Sequence, residues 1–276
     1  VRLHGKILVF PFAATRLVFG ANMKKTILLL TAVVGASSAH ASFIYGIAQQ
    51  GGIWKIDTST GNSTLVASTL VVNSQGGTNG LAHDGAGTFY YSAGNTFYKN
   101  SGTEQSVAVS GFGGSNANAT FHGGKYVYAS AANQVKQIDL GALTIATSAV
   151  PNLSNGYGDI ASDLSGMVWA QAGGKMQTFS LGNLAGGATT LNSSGSGTLQ
   201  LGFDQNWNLF GINYGDGKIY SIDTATGIRT FTGGIANSDG IMLRINDAAA
   251  AVPEPGTMAA LAVGLAAVAR RRKASK

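Results

Sequence analysis

The stretch GGIWKIDTSTGNSTLV, residues Gly51–Val66, is answered near the other end of the chain by DGKIYSIDTATGIRTF, Asp216–Phe231. Both run from an apolar and aromatic segment through Ile-Asp-Thr and a Thr-Gly pair into a second segment. NQVKQIDLGALTIAT (Asn133–Thr147) and GKMQTFSLGNLAGGATT (Gly174–Thr190) keep the same plan, and GNTFYKNSGTEQSVAV (Gly94–Val109) is a weaker copy. Aligning the residue after the second apolar position gives Asp57, Asn100, Asp139, Ser180 and Asp223, in steps of 43, 39, 41 and 43. A period close to 41 decides the fold, because a repeated unit that cannot bury its own faces must stack on its neighbours.

Each unit also has an upstream half: GLAHDGAGTFYYSA from Gly80, ATFHGGKYVYASA from Ala119, IASDLSGMVWAQA from Ile160 and LGFDQNWNLFGIN from Leu201. A short apolar run, a turn of Asp, Gly or Asn, and a run rich in Tyr, Trp, Phe and Val read as a hairpin. Two hairpins per unit give a four-stranded meander, and about 40–45 residues per such unit is the spacing of propeller blades. The expected fold is therefore all-β, a β-propeller of five four-stranded blades; the alternative is an open β-solenoid. The first unit lacks its upstream half, since Ser42 leads directly into FIYGIAQQGGIWKID. The missing strand is expected from NSDGIMLRI (Asn237–Ile245), where Asp239-Gly240-Ile241 stands over Asn79-Gly80-Leu81. A blade shared between the two ends of the domain would close the ring.

The whole chain of 276 residues carries a formal charge of +6, but its ends mislead. Between Ser42 and Ala251 there are eight basic residues against eleven acidic ones, a balance of −3; each end holds five of the remaining basic residues. A nucleic-acid partner needs a basic face on the folded domain, so none is expected. Cysteine is absent, which excludes disulfides and thiolate metal sites. A domain of about 200 residues buries enough surface to stand without covalent staples.

Chemistry is sparse in the middle. His83 and His122 follow inner strands of successive units, and His122 takes the place held by Asp84, Asp163 and Asp204 elsewhere. Those are turn positions, where such side chains bond the local backbone. No G-x-S-x-G elbow occurs, and Glu104 is the sole glutamate of the middle. The GDGK at Gly215–Lys218 reads as a hairpin turn, without the strand–loop–helix context of a phosphate loop. No catalytic residue, cofactor or metal is expected. One ring of polar residues enters the predicted innermost strands: Asn79, Asn118, Asp159, Gln200 and Asp239. It would line the channel mouth, either capping backbone or binding a sugar or small polar ligand.

The ends read as addresses. From Met23, MKKTILLLTAVVGASSAHA places Lys24 and Lys25 before an apolar run and ends in Ala39-His40-Ala41. This is the layout of a bacterial secretory signal peptide over residues 23–41, cut between Ala41 and Ser42; residues 1–22 are expected to lie upstream of the true start. The propeller is expected over 42–247 and a sorting segment over 248–276. There the chain reads VPEPGTMAALAVGLAAVARRRK, Val252–Lys273. The apolar run Gly256–Ala269 has 14 residues, about 21 Å of helix against a hydrocarbon core of about 30 Å.

Pro253-Glu254-Pro255, the apolar run and Arg270-Arg271-Arg272 together resemble the PEP-CTERM sorting signal of Gram-negative bacteria, departing from it in the short apolar segment. The resemblance covers the last 25 residues. It implies export, transient residence at the inner membrane, and cleavage near Pro253-Glu254-Pro255 by an exosortase. It further implies a cell-surface or matrix protein tied to exopolysaccharide and biofilm. The expected function is a non-catalytic, scaffold-like propeller partnered by exopolysaccharide or other surface proteins. The alternatives are a lectin-like propeller and a polysaccharide-acting propeller enzyme.

Overall fold

The computed structural model describes residues 42–69, 78–113, 118–130, 133–154, 158–172, 174–192 and 197–251. The signal-peptide residues, including Ala39 and Ala41, and the tail with Pro253, Glu254, Pro255 and Arg270–Arg272 lie outside them.

The described chain forms five four-stranded antiparallel sheets. Blade 2 is β4 (Thr78–His83), β5 (Phe89–Ala93), β6 (Thr96–Asn100) and β7 (Glu104–Val107). Blade 3 is β8 (Thr120–His122), β9 (Lys125–Ser130), β10 (Gln134–Asp139) and β11 (Thr144–Ala149). Blade 4 is β12 (Ile160–Ser162), β13 (Met167–Ala172), β14 (Lys175–Ser180) and β15 (Thr189–Asn192). Blade 5 is β16 (Leu199–Phe203), β17 (Leu209–Asn213), β18 (Lys218–Ile222) and β19 (Arg229–Ile235). Blade 1 joins the two ends of the domain: β1 (Phe43–Ala48), β2 (Ile53–Asp57) and β3 (Ser63–Ala67) receive β22 (Ile245–Ala249) on their inner edge. The inner strands touch in the order β22, β4, β8, β12, β16 and back to β22. That closed circuit makes the fold a five-bladed propeller and rules out the open solenoid.

The closing strand is not the one expected. Asn237–Ser238 (β20) and Ile241–Met242 (β21) pair with each other as a small hairpin outside the blades. Asp239 and Gly240 hold φ of 51° and 77°, turn conformations that a strand cannot use, and Ile241 is 70% exposed. The strand that closes the ring follows it, where Ile245, Ala248 and Ala249 are buried. Its alanines suit an axis too crowded for larger side chains. The strand also runs to Ala249, past the boundary of 247, and the Ala251 amide bonds the Phe203 carbonyl at 2.8 Å.

Packing follows from the third strand of each blade. Its buried positions fall at i and i+3, joined in blade 4 by Gln177: Ile53 and Ile56, Phe97 and Asn100, Val135 and Ile138, Met176 and Phe179, Ile219 and Ile222. Strand side chains alternate between faces, so an odd spacing sends one to each side of the blade. Ile56 packs with Ile212 and Ile219 of blade 5, whereas Ile53 packs with Leu81 and Tyr91 of blade 2. Ile138 joins Tyr90 and Phe97 of blade 2, and Val135 joins Ile160 and Val168 of blade 4. Met176 meets Leu199 and Ile222 of blade 5. Each apolar cluster is a contact between two blades, and no blade owns a core of its own. In blade 2 the second position is Asn100, whose amide donates to the Ser68 carbonyl of blade 1 at 3.1 Å. A hydrogen bond there takes the place of an apolar contact.

Candidate functional site

The repeat's anchor residues are turn caps. Asp57 Oδ1 accepts from the amides of Ser59 and Thr60, Asp139 Oδ1 from Gly141 and Ala142, and Asp223 Oδ1 from Ala225 and Thr226. The amide donors, Ala142 and Gly141 foremost, hold the Asp139 carboxyl below its ordinary range, and those of Thr226 do the same for Asp223. The first hairpins of blades 2, 4 and 5 use the same device: Asp84, Asp163 and Asp204 each accept two turn amides. In blade 3 the turn is Gly123-Gly124, both at positive φ, and His122 instead lies against Gly166 of blade 4. Both groups of aspartates cap turns.

The polar ring expected at the channel mouth is only partly assembled. Asn118 is buried, and its Oδ1 accepts from the Ala129 amide at 2.8 Å. Asn79 lies on β4, where its carbonyl accepts from Ser92 Oγ at 3.1 Å. Gln200 is 5% exposed on β16, with Oε1 unpartnered. Asp239 is elsewhere, in the β20–β21 turn. Asp159, fully buried at the start of β12, sits on the axis.

Its partner there is Asp247 of β22, a residue that the sequence reading passed over. The two carboxyl groups are fully buried and converge on one donor, the Ala248 amide. Asp159 Oδ1 accepts from the Ile160 amide at 2.6 Å, and Oδ2 from Leu201 of blade 5 at 2.5 Å and Ala248 of blade 1 at 3.4 Å. Asp247 Oδ2 accepts from the Leu81 amide of blade 2 at 2.6 Å, and Oδ1 from Ala248 at 2.9 Å. Tyr126 of blade 3, also fully buried, donates to the Gly80 carbonyl at 2.6 Å. All five blades thus meet around one carboxyl pair. Burial pushes Asp159 up to about 7 and raises Asp247 well above the carboxylate range, where the neighbouring Asp159 charge adds to it.

Gly158 is what lets Asp159 reach the axis. A Cβ on Gly158 would lie 1.3 Å from the Gln171 carbonyl oxygen, inside the strand beside it. The two aspartates are structurally equivalent: each accepts from the amide of the residue after it, Ile160 for Asp159 and Ala248 for Asp247.

Beyond the pair, the axial channel shrinks to about 10 Å³ between Ala82, His83, Thr120, Phe121, Ala161 and Ala248–Ala250, less than one water needs with its partners. His83 stacks on Phe89 at 4.6 Å and meets Tyr45 edge-on; its Nδ1 is unpartnered, and burial lowers its pKa. A wider groove of about 530 Å³ lies on blade 2, along Asn95–Phe97, Ser106–Ser110 and Phe112. Among the described residues no group of three His or carboxylate side chains is placed to hold a metal, and no helix is long and apolar enough to cross a membrane.

Past Ala251, the last described residue, the chain continues into a segment with a known relative. Residues 251–273 match the family described as the PEP-CTERM protein-sorting motif. The tail is a PEP-CTERM sorting signal. The signal implies an exported protein, sorted at the membrane and processed by an exosortase, and its cargo is the propeller. No curated protein matches the chain. Among solved structures, it is similar to a symmetrical protein whose de novo evolutionary emergence is shaped by folding constraints. Identity there is 15%, over 77% of this chain and 99% of that one, with a TM-score of 0.50. Virginiamycin B lyase from Staphylococcus aureus is 14% identical over 70% of this chain and 71% of its own, TM-score 0.43. A chain of the nidogen/laminin complex is 13% identical over 69% and 79%, TM-score 0.44. These likenesses concern the fold alone.

Proposed function

We propose that the propeller is a non-catalytic binding scaffold, displayed at the cell surface or in the extracellular matrix of a Gram-negative bacterium. Its ligands are exopolysaccharide or other surface proteins. The observation that carries this reading is a PEP-CTERM sorting signal attached to a ring whose axis is filled by its own side chains. Propeller ligands commonly approach the channel mouth, but here the axial carboxylates spend their acceptors on backbone amides. Binding falls instead to the outer surface of the blades. The blade 2 groove has the volume of a small-ligand site, and exposed Ser106 and Ser110 beside Phe112 offer hydroxyls next to an aromatic ring.

Two measurements test this. Intact-mass analysis of fractionated cells should find the C-terminus removed near Pro253-Glu254-Pro255 when an exosortase is present and retained when it is deleted; an identical mass and location in both would sink the sorting half. Retention of the mature protein on isolated exopolysaccharide should drop at least several-fold when Ser106→Trp fills the groove. Undiminished retention would move the ligand off blade 2, and no retention by wild type would remove the polysaccharide reading.

A further inference from the structure

We infer that Asp159 and Asp247 form a proton-dependent clasp that holds the closing strand β22 in the ring. The geometry calls for a proton: two carboxyl groups, wholly buried, crowd onto the single Ala248 amide, and a doubly ionised pair would set two unpaired charges side by side with no donor between them. Neither carboxylate has a basic partner; the one ion pair among the described residues is Lys218–Asp216, at the surface of blade 5. The elements packed on β22 and β12 contribute few titratable groups. They are Tyr45 on β1, His83 on β4 and His122 on β8, while β13, β16 and β17 carry none; from β9, where Lys125 is exposed and Tyr128 lies farther along the strand, Tyr126 reaches the pair. Of these, the Tyr126 phenol is the one that feels both carboxylates, and it is itself held neutral by burial.

Strand β22 is vulnerable in a way that the other inner strands are not. Like each inner strand it is ladder-bonded to one neighbour, here β1, but no hairpin turn ties it to its blade. Beside the apolar packing of Ile245 and Ala248 and the bonds from Asn246 to the Thr78 carbonyl and from Ala251 to the Phe203 carbonyl, its hold on the rest of the ring passes through Asp247 to Leu81 of blade 2, and through Asp159 of blade 4 to Ala248. Removing the shared proton sets two like charges around one backbone amide in a dry interior. The chain relieves this most cheaply by moving β22 outward, which carries Asp247 into water.

The sign follows from linkage. In the open state both carboxyls ionise near their ordinary value of about 3.9, while the closed ring keeps its proton to higher pH. Opening therefore grows as pH rises above about 4, by about tenfold per pH unit for each proton that the closed ring retains, and levels off once the closed ring has lost it.

The test is hydrogen exchange by mass spectrometry on the full-length protein between pH 5 and 8, corrected for intrinsic exchange. Opening of the Ile245–Ala249 amides should rise about tenfold or more per unit in wild type. Asp247→Asn and Asp159→Asn supply a permanent donor, so they should flatten that slope to less than twofold per unit. A wild-type opening constant that does not change with pH overturns the clasp, as does an equal slope in wild type and variants. If neither variant folds, wild type decides alone: β22 amides opening ahead of Lys125–Ser130 with rising pH support the clasp, and a parallel rise in both overturns it.

Discussion

Aspartate does three separate jobs in this chain, and burial sorts them. At Asp139 and Asp223 the carboxylate is solvated and caps a turn. Asp204 is 1% exposed and serves as both cap and rivet, accepting from Asn206, Asn208 and also Ser42 Oγ at 2.7 Å. Asp204→Ala should therefore cost about 1–3 kcal/mol, the range for leaving buried donors unsatisfied, read as a drop in the urea midpoint at constant slope. Asp159 and Asp247 are wholly interior and share a proton. Asp159 was legible because it recurs with the repeat, beside Asn118 and Gln200. Asp247 was not, because its strand Ile-Asn-Asp-Ala-Ala lacks the bulky apolar residues that mark a strand and runs into an alanine-rich tail. Small residues chosen for a crowded axis look like linker. Asp239 failed for the opposite reason: Ser-Asp-Gly-Ile matched the repeat by letter, yet positive φ at Asp239 and Gly240 makes it a turn.

At the scale of a strand, the i, i+3 pair on the third strand is the most telling feature, and it was readable in IWKID, QVKQID and KIYSI before any coordinates. Its meaning was not, because only the blade contacts show that the two positions serve different neighbours. Ile138→Ala opens a cavity against blade 2, where Tyr90, Phe97 and Tyr126 pack, and should cost about 2–5 kcal/mol in chemical denaturation. Leu65→Ser on the outer strand of blade 1, where the side chain is 47% exposed, should stay within about 0.5 kcal/mol. Gly158→Ala should prevent folding at 37 °C, since the clash is with the Gln171 backbone and no rotamer relieves it; soluble expression checks this.

For the whole molecule, the two classes of aspartate impose opposite pH limits. The turn carboxyls, Asp139 and Asp223, have lowered values, so their contribution is present above the ordinary carboxylate range and is lost as pH falls through their folded values. The axial pair is raised, so its contribution is complete in acid and erodes upward from about pH 4 to about 7 for Asp159. A melting-temperature scan should thus peak in mildly acid solution and fall on both sides, the alkaline fall disappearing in Asp247→Asn. A maximum at pH 8 would contradict this. Strand polarity adds a last point. Ser42 lies beside the Asp204 turn, and Ala251 bonds Phe203 next to it. The domain's first and last described residues therefore emerge together, on the side where every first-hairpin turn also lies. On the proposed reading, a tail held at its far end moors the propeller by that side, like a wheel on its axle. The turns at Gln49–Gly52, Gly94–Asn95 and Tyr214–Gly217 lie at the opposite strand ends, which makes them the outward face on that reading.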